Sequence, residues 1–95
     1  MFTFIELQGF SKRRQVLLPD DEFRAFQEIL INDPEAGDTI SGTGGFRKIR
    51  WSRVIYYNVT IKGRIYLALI YPKNEQDELS QEQKKMLRQV AELLN

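Results

Sequence analysis

The chain has 95 residues, of which 42% are hydrophobic and 28% charged, and its formal net charge is +1. This length suits one domain with one modest core, and we predict a single domain over residues 1–95. The sequence contains no cysteine and no histidine. Disulfides, thiolate zinc sites and histidine-based catalysis are therefore excluded, and any acid–base chemistry must use Lys, Arg, Tyr, Asp or Glu.

The absence of cysteine also favours a reducing compartment. The chain does not open with a basic segment followed by a long apolar stretch, and no apolar run reaches the length of a membrane span. We therefore expect a cytoplasmic protein that stays out of the membrane. No residue pattern calls for a cofactor or a metal ion.

The small net charge hides a strong asymmetry along the chain. Between Thr39 and Asn74 there is no acidic residue, and seven cations give this segment a charge of +7, whereas the remainder carries −6. Such clustering favours a polyanionic partner such as RNA. A solvated sheet face with chance clustering of cations is the alternative. The seven cations are Arg47, Lys48, Arg50, Arg53, Lys62, Arg64 and Lys73.

The residue pattern of the first third of the chain predicts a strand and a helix. Apolar alternation over residues 2–7 indicates a strand. The polar run 12–14 fits either a loop or a turn of helix. Pro19 and the three acids that follow it are typical of a helix start, and Asn32-Asp33-Pro34 ends that helix.

Residues 34–45 read as a loop, whose glycines invite comparison with a phosphate-binding loop. The comparison fails because no Gly-Lys-Ser/Thr follows and the segment leads into a strand rather than a helix. We expect a flexible or tight turn instead.

Three strands and a helix complete the chain. Strands are predicted at 46–51, 53–60 and 64–71, the last with both faces covered because it lacks polar alternation. Ser80 and Gln83 form a capping box for a final helix. The order predicts an α+β domain with helices packed on a small antiparallel sheet that can be mixed at its N-terminal strand. The apolar stripe expected to lie on the sheet comprises Met86, Leu87, Val90, Ala91 and Leu94.

The first two of these strands meet at residues 50–53, which contain no glycine, asparagine or aspartate. The turn is either very tight and unusual, or the chain is shorter here than its relatives.

Strand alternation places Lys48 and Arg50 on one face and Arg47 on the other, and Arg53 and Lys73 can join the first pair at adjoining strand ends. Such cations would bind a phosphate and stabilise charge on it, and RNA supplies its own nucleophile, the 2′-hydroxyl. The charge pattern alone does not distinguish cleavage from binding.

Several spaced blocks, in order, resemble the HigB branch of RelE-like toxins over about residues 18–80. The blocks run from Phe26-Gln27 to Asn32-Asp33-Pro34, then Gly37-Asp38, then Gly42-Thr43-Gly44-Gly45-Phe46-Arg47-Lys48-Ile49-Arg50, then Arg53-Val54-Ile55-Tyr56-Tyr57, and finally Leu69-Ile70-Tyr71-Pro72-Lys73-Asn74-Glu75.

This resemblance implies a type II toxin that cleaves mRNA in the ribosomal A site without a metal. It also implies a neutralising antitoxin with a helix-turn-helix domain, through which alone the pair would bind operator DNA. Lys48 or Arg50 would transfer a proton or stabilise the transition state, Arg53 would hold the scissile phosphate, and Lys73 would contact the leaving side or the RNA backbone. Many relatives carry a Gly- and Lys-rich loop where this chain has only residues 51–53. The remaining cations assigned to RNA binding are Arg47, Lys62 and Arg64.

Two other readings fit the same residues. One is a non-catalytic RNA- or ribosome-binding module, such as an inactive relative. The other is an interaction domain whose basic face meets an acidic protein. Growth and translation during expression of the chain would separate the toxin from both alternatives.

Overall fold

The computed structural model describes residues 2–72 and 79–94, which form an α+β fold with a five-stranded mixed sheet. Among these residues, no helix is long and apolar enough to cross a membrane. The elements in chain order are β1 (Thr3–Glu6), α1 (Phe10–Leu17), α2 (Asp20–Asn32), β2 (Asp38–Thr39), β3 (Arg47–Ile49), β4 (Val54–Val59), a 3-10 turn (Thr60–Lys62), β5 (Arg64–Ile70) and α3 (Gln81–Leu94).

The sheet has the strand order β1-β5-β4-β3-β2. β1 pairs with β5 in parallel, and every other neighbouring pair is antiparallel. The prediction of an α+β fold with a sheet that is mixed at its first strand is therefore confirmed. The loop predicted over 34–45 contains β2, a two-residue strand that the sequence pattern did not reveal.

Helices α2 and α3 begin where the sequence predicts. Asp20, Asp21 and Glu22 occupy the first turn of α2, where carboxylates interact favourably with the helix dipole. At the start of α3, the Gln83 backbone N–H donates to Ser80 Oγ at 3.1 Å, and the Ser80 N–H donates to Gln83 Oε1 at 2.9 Å. This reciprocal pair confirms the predicted capping box. The polar run 12–14, left open between loop and helix, lies within α1.

The sheet is covered on both faces, as the apolar character of β5 predicted. One core, which we call the helix-pair core, packs α1 and α2 against the sheet around Phe26, Tyr56 and Leu67. The second, the α3 core, packs α3 on the opposite face around Tyr57 and Leu87. Of the apolar stripe predicted for α3, Leu87 and Ala91 are buried, whereas Met86 is 54% exposed and faces away.

The Tyr56 side chain ties the loop after α2 to the centre of the sheet. Its hydroxyl donates to the Pro34 carbonyl oxygen at 2.9 Å and accepts from the Gly37 N–H at 2.9 Å. Burial raises the pKa of Tyr56 above its ordinary value of 10.0, and the hydrogen bond from Gly37 opposes this shift. The neutral phenol is therefore the form that the folded state prefers.

We expect Tyr56→Phe to lower the free energy of unfolding by about 1–3 kcal/mol, because the buried Gly37 N–H loses its acceptor. The raised pKa adds a pH dependence. The neutral phenol's contribution to stability is fully present below pH 10, and it is lost as the pH rises through the folded-state pKa, because the unfolded chain ionises first. Chemical denaturation between pH 8 and pH 11 should show this loss in the wild type and a shallower loss in Tyr56→Phe.

The matched control is Tyr66→Phe. Tyr66 is also buried, and it lies on β5, the strand that pairs with β4. If the two variants have equal stability and equal pH dependence, the hydroxyl of Tyr56 does not anchor the loop.

Candidate functional site

A cleft of about 300 Å³ lies between the edge of the sheet and α3, and we call it the β3–α3 cleft. Its walls combine cations, one carboxylate and an apolar floor. This volume is at the lower end of the range for small-ligand sites, so it suits one small group rather than an extended ligand. The residues that line the cleft are Asp38, Thr39, Ile40, Lys48, Arg50, Ile55, Leu79 and Lys84.

Lys48 and Arg50 reach this cleft through the alternation of β3. Phe46 packs in the α3 core and Ile49 in the helix-pair core, so Lys48 between them lies on the α3 side. Arg50 follows directly after β3, is exposed and lines the same cleft. The predicted sharing of one face by Lys48 and Arg50 agrees with this arrangement.

Lys84 is a third cation in the cleft, and sequence reasoning missed it. It comes from the first turns of α3, one turn before Leu87 and two turns before Ala91, both of which are buried against the sheet. Residues three and seven positions apart lie on the same side of a helix. That spacing in the sequence indicates that Lys84 shares the buried side of α3, but it does not indicate that α3 lies beside β3.

The glycine-rich segment 42–45 is a tight turn that packs against α3. A Cβ on Gly44, whose φ is +78°, would lie 3.1 Å from the Cβ of Ala91, so this position requires glycine. The Thr43 hydroxyl donates to the Ile40 carbonyl at 2.7 Å and accepts from the Phe46 N–H at 3.2 Å, which closes the turn. The segment therefore positions α3, and with it Lys84, over the cleft.

Asp38 is the carboxylate at the rim of the cleft. It pairs with Lys48 in the antiparallel register of β2 and β3, so their side chains project from the same face of the sheet. A carboxylate here weakens the binding of an anion, but it can also accept a proton from a bound hydroxyl group. In the described part of the chain, no three acidic residues come close enough together to hold a metal ion.

Arg47 lies on the opposite face from Lys48, as alternation predicted. Its Nη1 donates to the carbonyl oxygens of Glu35 at 3.2 Å and Gly37 at 2.9 Å. These bonds fix the loop that leads into β2. The RNA-binding role assigned to Arg47 from the sequence thus competes with an internal role, since its guanidinium already holds backbone carbonyls.

Lys62 and Arg64 lie far from the cleft. Arg64 pairs with Val59 at one end of the β4–β5 hairpin, whereas Arg50 follows β3 near the other end. The six residues of β4 separate the two ends by about 17 Å or more. Lys73 lies outside the described residues.

Arg53 lines a second pocket, which we call the Trp51 pocket and which also has a volume of about 300 Å³. Arg50 and Arg53 belong to the same turn but face different pockets, so the expectation that Arg53 joins Lys48 and Arg50 in one group does not match its position. The residues that line the Trp51 pocket are Val16, Leu17, Leu18, Glu22, Trp51, Ser52, Arg53, Tyr71 and Pro72.

The turn between β3 and β4 is tight and unusual, and the other alternative from the sequence, a chain that is shorter here than its relatives, stays a prediction. The Arg53 N–H donates to the Ile49 carbonyl at 3.0 Å, and the buried Ser52 hydroxyl donates to the same oxygen at 3.0 Å. The Val54 N–H in turn donates to Ser52 Oγ at 3.2 Å. Arg53 adopts a φ of +57°, a left-handed conformation that among the described residues outside glycine occurs only here.

We expect Arg53→Gly to be more stable than Arg53→Ala by about 1–2 kcal/mol, because only glycine adopts the left-handed conformation without a steric cost. Both variants remove the same side chain, so the difference between them isolates the backbone. Urea denaturation measures it. Equal stability of the two variants would show that the turn changes its conformation when the arginine is removed.

No family model matches this chain. The resemblance to the HigB branch of RelE-like toxins therefore stays a prediction from the sequence. The structure contributes a separate observation, which is that cations from β3, from the turn after β3 and from α3 line a single cleft.

Proposed function

We propose that this protein binds single-stranded RNA in the β3–α3 cleft and cleaves mRNA on the ribosome, as a toxin of a type II toxin–antitoxin pair. One observation carries the proposal: Lys48, Arg50 and Lys84 come from three separate elements and line one cleft. Cations brought together in this way bind a phosphate, because each contributes to neutralising the same charge. The resemblance to HigB-like toxins supplies the target.

The chemistry proposed for the cleft needs no metal and no cofactor. The 2′-hydroxyl oxygen attacks the neighbouring phosphorus, the bond from phosphorus to the 5′ oxygen breaks, and the products are a 2′,3′-cyclic phosphate and a free 5′-hydroxyl. Lys48 or Arg50 stabilises the charge that develops on the phosphate or supplies the proton to the leaving oxygen. The carboxylate of Asp38, which faces the same cleft, can receive the proton of the 2′-hydroxyl.

The proposed partners follow from the same reading. They are the ribosome with its mRNA and an antitoxin with a helix-turn-helix domain, through which the pair would contact operator DNA. The protein would act in the cytoplasm. Lys73, proposed to contact the RNA backbone, keeps that role as a prediction.

The second candidate is a module that binds RNA or the ribosome without cleaving. Such a module would use the same cations, but the presence of Asp38 in the cleft favours cleavage over binding alone. A carboxylate opposes phosphate binding, so its presence beside Lys48 is a disadvantage for a protein that only binds. In a protein that cleaves RNA, the carboxylate has a role, because it receives the proton of the 2′-hydroxyl.

Expression of the chain in growing cells should arrest growth and translation, and primer extension on ribosome-engaged mRNA should reveal new 5′ ends. We expect Lys48→Ala or Arg50→Ala to lower the rate of cleavage about 10²–10³-fold, because each removes a group that stabilises transition-state charge. Arg53→Ala tests the scissile-phosphate role in the same assay, and Lys12→Ala, an exposed cation on α1, is the control. Normal growth with abundant folded protein would contradict the toxin function, and undiminished cleavage in all three variants would exclude them from the mechanism.

Lys84→Ala should weaken the binding of a single-stranded oligonucleotide and lower the slope of log K against log salt by about 0.7, the value for one phosphate contact. Lys85→Ala is the matched control, because Lys85 is the next residue of the same helix but borders the outer face of α3 rather than the cleft. Fluorescence anisotropy over a salt series measures both. A response to salt that is flat in the wild type would point to a protein partner instead.

A further inference from the structure

Trp51 is the single tryptophan of the chain, and it sits in the turn between β3 and β4 with 47% of its surface exposed. Two arginines of the same turn, Arg50 and Arg53, flank it in sequence. Tryptophan carries a large apolar and aromatic surface, which in most proteins is largely buried. A half-exposed indole in the turn of the β3–β4 hairpin, with an arginine before and after it in the sequence, therefore points to a contact outside the fold.

The backbone of Arg53 gives a second, independent indication. A left-handed conformation suits glycine, asparagine or aspartate in a hairpin turn, and arginine adopts it at a cost. Residues in such conformations concentrate at functional sites, where a particular side chain is needed despite the cost. Ser52 is buried in forming this turn, so the turn presents the side chains of Trp51 and Arg53 on a fixed base.

The composition of the Trp51 pocket matches the needs of an unpaired nucleotide. An indole provides a face on which any nucleobase can stack, and an adjacent guanidinium provides a contact for phosphate. Val16 and Pro72 add apolar surface around the ring. One carboxylate, Glu22, lies in the pocket and can accept hydrogen bonds from the amino groups of a base.

The Trp51 pocket and the β3–α3 cleft are separate, but the turn 50–53 contributes to both: residues of α1 and α2 line the pocket, and α3 borders the cleft on the other face of the sheet. Arg50 lines the cleft, and Trp51, the next residue, lines the pocket. The Cα atoms of Arg50 and Arg53 are at most about 11 Å apart along the chain. An RNA strand that contacts both the cleft and the pocket would therefore have to pass around this turn.

We propose that the Trp51 pocket is a second nucleotide subsite, in which an unpaired base of RNA stacks on the Trp51 indole while Arg53 binds an adjoining phosphate. The subsite extends the RNA path of the proposed function and rests on its RNA-binding part, but it does not depend on cleavage. An exposed aromatic residue beside an apolar wall also suits a protein partner. RNA is favoured because the turn that forms the pocket also contributes Arg50 to the cleft with its three cations, and because arginines precede and follow the ring in the sequence.

The fluorescence of Trp51 tests this directly, since the protein has one tryptophan. Short oligoribonucleotides with 2′-O-methyl groups bind without being cleaved, so the ribosome and catalysis are not needed. We expect saturable quenching or a spectral shift with an ordinary oligonucleotide, and little change with inorganic phosphate or with an abasic oligonucleotide of equal charge. Equal changes with the abasic and the ordinary oligonucleotide would overturn the stacking proposal.

Variants provide the second readout, with binding measured by anisotropy of a labelled oligonucleotide. Trp51→Ala should weaken binding about fivefold to 100-fold, the range for loss of one base–aromatic stack, whereas Trp51→Phe should keep most of the affinity. Ile61→Ala, which truncates a side chain that is 94% exposed at the other end of the β4–β5 hairpin, is the control. If Trp51→Ala binds as tightly as the wild type, the subsite is refuted.

Arg53→Gly separates a role in binding from a role in folding. We expect it to bind the oligonucleotide less tightly than the wild type while being more stable than Arg53→Ala. Unchanged affinity would remove Arg53 from the subsite. Failure of the proposed function can be distinguished from failure of the subsite. If RNA quenches the fluorescence of the wild-type protein but the protein never cleaves, the subsite stands and the toxin function is refuted. If cleavage depends on Lys48 but not on Trp51, and Trp51→Ala binds RNA as tightly as the wild type, the subsite alone is refuted.

Discussion

The hydroxyl of Tyr56 is the interaction on which the geometry of the candidate site depends. It joins a central strand of the sheet to the Pro34 carbonyl and the Gly37 N–H, on a loop that has no regular structure of its own. The ring fills the helix-pair core, where it meets the edge of Phe26 at a centroid distance of 6.3 Å. One side chain therefore contributes to apolar packing and also pairs with the buried Gly37 N–H, which would be costly to leave without an acceptor, while Asn58 shares the Pro34 carbonyl.

Gly37 shows how closely the loop fits. A Cβ at this position would lie 2.8 Å from Tyr56 Cε1 and 2.9 Å from the Lys48 carbonyl oxygen, so any side chain would push the loop off the sheet. The Gly37 carbonyl is held in addition by Arg47. Because Asp38 follows directly, these contacts determine where β2 pairs with β3. A strand of two residues has too few hydrogen bonds to its neighbour to fix its own position. The hydrogen bonds from Arg47 on β3 and Tyr56 on β4 to Gly37, directly before the strand, hold it in place.

The same non-local dependence explains which parts of the structure the sequence could predict. The starts of α2 and α3, the capping box at Ser80, the faces of β3 and the α+β class follow from patterns within a few residues, and these were predicted, whereas α1 was left open between a loop and a turn of helix. β2 was not, because Asp38-Thr39 has no apolar alternation and is held by Tyr56 and Arg47, residues well separated from it in sequence. Lys84 was missed for a related reason: its place in the cleft depends on the contact of α3 with the glycine turn, which no local pattern records.

The basic stretch that dominates the sequence does not form one continuous patch. Arg47 is turned inward to backbone carbonyls, Lys62 and Arg64 lie at the far end of a hairpin, and the turn 50–53 divides the rest between two pockets. The distribution of charge along the chain indicates a polyanionic partner, but it does not indicate that the cations are divided between two pockets. That division depends on the left-handed backbone of Arg53 and on the hydrogen bonds of the Ser52 hydroxyl, which set the direction in which each side chain of the turn projects. A glycine in place of Arg53 would make the turn easier to form and would leave the second pocket without its guanidinium. The left-handed conformation at this position therefore belongs to a turn that presents two cations, one before and one after Trp51 in the sequence, to two different pockets.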